Sequence, residues 1–85
     1  MLSQLKDQPL CIGLKQSQRA LEEGRVRRAF VAQDADVHVT GNFVRDCRAM
    51  GVQLEIVDSM KRLGHAAGID VGAAIVVVLQ SDSLV

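Results

Sequence analysis

With 85 residues, 48 % of them apolar and 24 % charged, the chain has the makings of one small globular domain with a single core, and its composition excludes extended disorder. Ten basic and ten acidic side chains cancel, which argues against a protein that coats nucleic acid indiscriminately, because that mode depends on releasing many counterions. The cancellation is uneven: between Gly13 and Arg28, five cations (Lys15, Arg19, Arg25, Arg27, Arg28) stand against Glu22 and Glu23, so a neutral total conceals a basic face.

In chain order, residues 2 to 7 are predicted to form a helical turn or two that Pro9 ends, since proline restricts its predecessor and cannot continue a helix. The opening MLSQLKDQPL has neither the basic nor the apolar region of a secretory signal, so a cytoplasmic protein is expected. LCI at 10 to 12 reads as a short strand. After Gly13, LKQSQRALEE is a helix of good formers stopped by Gly24. RRAFVA at 27 to 32 is a strand ended by DAD at 34 to 36. Thr40 is the predicted cap of the next helix, which places Phe43, Val44 and Cys47 on one face and stops at Gly51. VQLEIV at 52 to 57 alternates, with Val52, Leu54 and Ile56 on one side and Gln53 and Glu55 on the other. Asp58 or Ser59 caps a helix that Gly64 weakens and Gly68 ends. The run AAIVVVL at 73 to 79 is continuous rather than alternating, as for a strand covered on both faces, and is far short of the roughly 20 residues that cross a bilayer.

Strands separated by helices of this length predict one domain over residues 1–85, an α/β fold built as a three-layer α/β/α sandwich around a small mixed four-stranded sheet. The expected interior is Ile12, Leu21, Phe30, Val31, Phe43, Val44, Cys47, Leu54, Ile56, Leu63 and Ile75 to Val78. Cys11 and Cys47 stand far apart without a CxxC, and are expected as small hydrophobes rather than a bridge.

A catalytic constellation is missing. His38 and His65 have no metal-binding partner at i+3 or i+4, Asp34 and Asp36 read as turn formers, and no Walker loop, GxSxG or dinucleotide glycine signature occurs. The expectation is a protein that is not an enzyme and takes no metal, cofactor or small-molecule substrate. Binding of single strands through stacked bases fails as well, since Phe30 and Phe43 are the only aromatics and both sit at core positions.

Three stretches, GLKQSQRAL at 13 to 21, VAQDAD at 31 to 36 and SMKRLGHAAGIDVGAA at 59 to 74, resemble the signatures of the kink-turn-binding ribosomal protein family called L-seven-Ae, related to L-thirty-e, and are most similar to its small bacterial branch. The resemblance implies an α/β/α sandwich that grips a sharply bent RNA internal loop with tandem sheared G·A pairs. It assigns Gly13, Lys15, Gln16 and Arg19 to the helix tip that enters the groove, and Ile69, Asp70 and Val71 to a connection that covers an extruded nucleotide. The chemistry is compatible: Lys15 and Arg19 are i, i+4 on one face, glycine admits phosphate closely, and Lys, Arg and Gln suit the edges of G·A pairs. An unstacked base accepts an aliphatic surface where no aromatic is offered. Lys61 and Arg62, on the preceding helix, are placed to meet phosphates.

The chain departs from the archaeal pattern in having Lys15-Gln16 for Asn-Glu, Arg19 for Lys, and Val37 for a proline after DAD. The implied partner is structured RNA, a kink-turn in ribosomal RNA or a riboswitch, bound by a monomer that associates with the ribosome. The alternative is a protein-interaction module of the same fold, docking a partner through the ridge from Ile69 to Val71.

Overall fold

The computed structural model describes Leu5 and residues 7 to 80. Its elements are β1 (Leu10–Ile12), α1 (Leu14–Glu22), β2 (Val26–Ala32), α2 (Val37–Ala49), β3 (Gln53–Val57), α3 (Met60–Ala66) and β4 (Ile75–Leu79). The helix predicted at 2 to 7 falls, apart from Leu5 and Asp7, outside the described residues.

The four strands make one mixed sheet in the order β1-β4-β2-β3, with β4 antiparallel to both neighbours and β2 parallel to β3. This is the predicted mixed sheet, and the apolar run near the end of the chain occupies its centre. All five residues of β4 are buried. Because side chains alternate across a strand, Val76 and Val78 enter one layer of core with Phe30, Ala32 and Leu63, beneath α3. Ile75, Val77 and Leu79 enter the other, with Leu21 of α1 and Phe43 and Cys47 of α2. Each of the Val, Ile, Leu and Phe side chains contributes about 1.5 to 3 kcal/mol by leaving water, so a strand buried on both faces holds the two layers together.

Four expectations are corrected. Thr40 does not cap α2: Asp36 does, in extended backbone, its Oδ1 accepting the His38 N–H at 2.9 Å. Thr40 lies one turn inside, buried, with its hydroxyl donating to the Asp36 carbonyl at 3.5 Å. The carboxylate precedes a residue that continues the helix, so the first available cap wins. Ile56 is 51 % exposed rather than interior. It lies on β3, an edge strand with a neighbour on one side only, near the end at which α2 begins. Ile12, on the opposite edge strand, and Leu54 and Val44 are half-buried at the rims of the two layers. The last strand starts at Ile75, leaving Ala73 and Ala74 to the connection before it.

Candidate functional site

The sheet brings one set of chain reversals together. Ile12 pairs with Val76, Val31 with Ile75, and Ala32 with Val57, so β1, β2 and β3 all end where β4 begins. Each is followed by a helix, and α1, α2 and α3 therefore all start at this end of the molecule. Their amino termini carry the positive ends of the helix dipoles. Two are closed by side chains: Asp36 caps α2, and Ser59 caps α3 by accepting the Arg62 N–H at 3.1 Å.

The third is open. Gly13 precedes α1 without a side-chain cap, at φ 97°, a left-handed conformation that favours glycine. Its own N–H donates to the Ile75 carbonyl at 2.9 Å. No heavy atom lies within 4 Å of where a Cβ would stand, so the tip is approachable. The helical ladder begins with the Ser17 N–H on the Gly13 carbonyl at 3.1 Å, which leaves the N–H groups of the first turn outside it. Ser17, Ala20 and Leu21 turn inward and are buried. That sends Lys15, Gln16 and Arg19 outward, where all three are exposed and border one shallow depression. Among the described residues neither Lys15 nor Arg19 has an ion-pair partner.

The basic face inferred from residues 13 to 28 is divided. Lys15 and Arg19 belong to the open end of α1, whereas Arg25, Arg27 and Arg28 surround the start of β2 at the opposite end of the sheet. There Arg25 pairs with Glu23 at 2.9 Å and Arg28 with Glu55 at 3.4 Å.

The connection from Gly68 to Ala74 is laid back over α3. The Gly68 N–H donates to the His65 carbonyl at 3.0 Å, the Ile69 N–H to Gly64 at 3.0 Å, and the Ala73 N–H to Met60 at 2.9 Å. At its middle the backbone passes so close to the helix that a Cβ on Gly64 would overlap the Val71 carbonyl oxygen. Gly64, read from sequence only as a weak point in a helix, is what lets this connection close down. Asp34 contributes from further away: it accepts the Met60 N–H at 2.7 Å, tying the end of β2 to the start of α3. Neither role is visible in local spacing, since the partners are 7 and 26 positions apart.

The structure separates the two apolar residues of the connection. Ile69 is half-buried and packs on the α3 core layer, seating the connection, while Val71 is 69 % exposed and Asp70 is also exposed. Between α3 and the connection runs an open groove of about 470 Å³, walled by Ile69, Asp70 and Val71 on one side and Lys61, Arg62 and His65 on the other. Arg62 is partly committed to Asp58 at 3.0 Å; Lys61 has no ion-pair partner among the described residues. His65 was not among the residues that the sequence singles out for this surface, and an isolated histidine on a polar helix face carries no signal that would have done so.

Thus Lys15, Gln16 and Arg19, and Lys61, Arg62, Asp70 and Val71, flank one end of the sheet from its two faces, joined by the Gly13–Ile75 hydrogen bond. Elsewhere, both cysteines are free thiols. Burial, and after it the Asp46 carboxylate, pushes the Cys47 thiol up to about 11, which keeps it protonated and unreactive at neutral pH. Asp34 and Asp36 each hold a backbone N–H. Among the described residues, no helix is long and apolar enough to cross a membrane.

Known proteins resemble this chain in sequence and in fold. The family model of the ribosomal protein L7Ae/L30e/S12e/Gadd45 family matches residues 2–84. An "RNA-binding protein" of Bacillus pumilus is 43 % identical over 72 residues, 85 % of this chain and 88 % of that one. The "RNA-binding protein YbxF" of Geobacillus stearothermophilus is 42 % identical over 71 residues, covering 84 % and 87 %. Among solved structures, a Giardia lamblia 15.5kD RNA binding protein superposes with a TM-score of 0.87 over 98 % of this chain and 73 % of its own, at 22 % identity. A Bacillus halodurans protein of unknown function does so with a TM-score of 0.82 over 95 % and 85 %, at 23 % identity. The matched span and the identity to the bacterial relatives leave one conclusion: the chain belongs to the ribosomal protein L7Ae/L30e/S12e/Gadd45 family.

Proposed function

We propose that this chain is a non-catalytic RNA-binding module that recognises and stabilises a kink-turn or similarly bent internal loop, acting as a monomer in the cytoplasm on ribosomal RNA or a riboswitch. The observation that carries the reading is the shared end of the sheet: an uncapped, glycine-led helix tip with Lys15, Gln16 and Arg19 beside it, next to a braced connection that presents Val71. The names of the bacterial relatives agree with it. In this reading the open N–H groups and Gly13 receive phosphate, Lys15, Gln16 and Arg19 address the edges of the sheared pairs, and Val71 covers the base that the bend extrudes. Ile69 contributes by holding the connection in place, and Lys61 and Arg62 meet the backbone of the same strand. Bent RNA is stabilised because only the bent form offers both surfaces their partners at once.

The test is a gel shift of a kink-turn oligonucleotide against a plain duplex of equal length. Preferential retardation of the kink-turn is expected, and equal affinity for the two rejects the specific reading. Val71, 69 % exposed, also favours a second reading, in which the ridge from Ile69 to Val71 docks a protein. A pull-down from nuclease-treated lysate that survives removal of RNA, together with no kink-turn shift, is the outcome that favours it.

A further inference from the structure

Three hydrogen bonds close a ring at the downstream foot of the 68–74 connection. The Ala32 N–H, at the end of β2, donates to the Ala74 carbonyl at 2.9 Å; the Ala73 N–H donates to the Met60 carbonyl at 2.9 Å; and the Met60 N–H donates to Asp34 Oδ1 at 2.7 Å. The backbone from 73 to 74 and from 32 to 34 completes the circuit. The ring is tight, since a Cβ on Gly72 would stand 3.1 Å from the Met60 Cβ. Two of its hydrogen bonds join backbone to backbone, so Asp34 supplies the one link that depends on a side chain. As a cap for α3 it would be redundant, because Ser59 already accepts the Arg62 N–H at 3.1 Å. Asp34 instead reaches across 26 positions to the first N–H of that helix, one that the helical ladder leaves without a partner.

Resting on the RNA-binding reading above, we infer that Asp34 is a positioning residue for that site: by holding Met60, and through Met60 the foot of the connection, it fixes where Val71 stands without itself touching the nucleotide. Val71 lies between two anchors. Upstream the Ile69 N–H donates to the Gly64 carbonyl at 3.0 Å, and downstream the ring holds Ala73 and Ala74. Exposed Val71 has no core of its own to fix it, so its position is set by these anchors, and a site held by supporting hydrogen bonds loses its geometry when one is removed. Asp34 is exposed but does not wall the groove beside α3, which separates it from the residues that line that surface. Its charge and its acceptor oxygen act in opposite senses. A carboxylate at an RNA-binding end repels phosphate, so only the hydrogen bond it accepts favours binding. Asparagine keeps the acceptor and loses the charge, whereas alanine loses both.

Fluorescence anisotropy of a labelled kink-turn oligonucleotide tests this, titrated with the full chain and its variants at a temperature where melting curves show all of them folded. Asp34→Ala is expected to weaken binding about fivefold, the scale of one hydrogen bond, while Asp34→Asn restores it to within about twofold of the parent because the acceptor is kept. The decisive comparison adds Val71→Ala. In that background Asp34→Ala should cost less than about twofold, since residues that act through one contact are not additive. A merely structural Asp34 would cost the same in both backgrounds. If Asp34→Ala binds as the parent does or tighter, if Asp34→Asn is as weak as Asp34→Ala, or if the cost is unchanged by Val71→Ala, the role of Asp34 is overturned while RNA binding stands. If the parent binds a plain duplex as well as the kink-turn, both readings fall.

Discussion

At the level of single residues, the proposed site depends on a few side chains with no internal duties. Arg19 and Gln16 are exposed, and the side chain of neither takes part in a hydrogen bond or ion pair with the described residues. Removing them therefore leaves the fold alone. Arg19→Ala or Gln16→Ala is expected to weaken kink-turn binding by about 1 to 3 kcal/mol each, the scale of a good base-edge contact, with an unchanged thermal midpoint; calorimetric titration beside a melting curve measures both. Loss of affinity accompanied by a lowered midpoint would show that the residue serves the fold instead. Gly64 is the opposite case. It touches no proposed ligand, yet a methyl group there collides with the Val71 carbonyl, backbone that cannot rotate away. Gly64→Ala should cost about 1 to 3 kcal/mol in denaturant unfolding, as overpacking does, despite the better helix propensity of alanine, and should displace Val71. A variant as stable as the parent would show that the connection is not held down on α3.

At the level of elements, the three helix starts differ in how they are closed, and that difference separates stability from binding. Asp36→Ala removes the cap of α2 and should lower stability by about 1 kcal/mol, whereas Thr40→Val, which loses only a 3.5 Å hydrogen bond, should cost less; urea denaturation of both variants would reveal a reversed order and with it a wrong cap. The element boundaries show what local chemistry can reveal. Gly24 and Gly51 stop α1 and α2 where the sequence places them, and the unbroken IVVVL run is a doubly covered strand, because both signals act over a few neighbouring residues. Thr40 misleads because capping preferences rank residue types without saying which of two candidates meets extended backbone. Ile56 misleads because alternation reports a face of a strand, and whether that face is covered depends on how far the neighbouring helix α2 reaches across it.

For the whole molecule, the ion pairs among the described residues occupy some cations and leave others available, among the latter Arg27 and Arg48 away from the proposed site. Arg25, Arg28, Arg45 and Arg62 each lie within 3.5 Å of a carboxylate oxygen, while Lys15, Arg19 and Lys61 at the proposed end of the molecule have no such partner among the described residues. A protein with zero net charge in which Lys61 and Arg62 are the side chains that meet phosphate should bind RNA with a modest salt dependence, a log–log slope of magnitude about 1.4 to 1.8 for two phosphate contacts. Filter binding across a range of potassium chloride concentrations measures it, and a slope of about 8 or more would mean diffuse coating of RNA by the whole surface.

By itself the sequence determined the alternation of helices and strands, the central position of the final strand, the outward face of α1 with Lys15, Gln16 and Arg19, and the family signatures in three stretches. All of these are written in neighbouring residues, as periodicity, glycine punctuation or motif. Only the tertiary structure decided that the three helix starts meet at one end of the sheet, that Arg25 to Arg28 lie at the other, that Ile69 seats the connection while Val71 stands free, and that His65 faces the same groove as both. Those facts come from strand order and from backbone crossing backbone at Gly64, and a chain records them as contacts between distant positions, which no local pattern encodes.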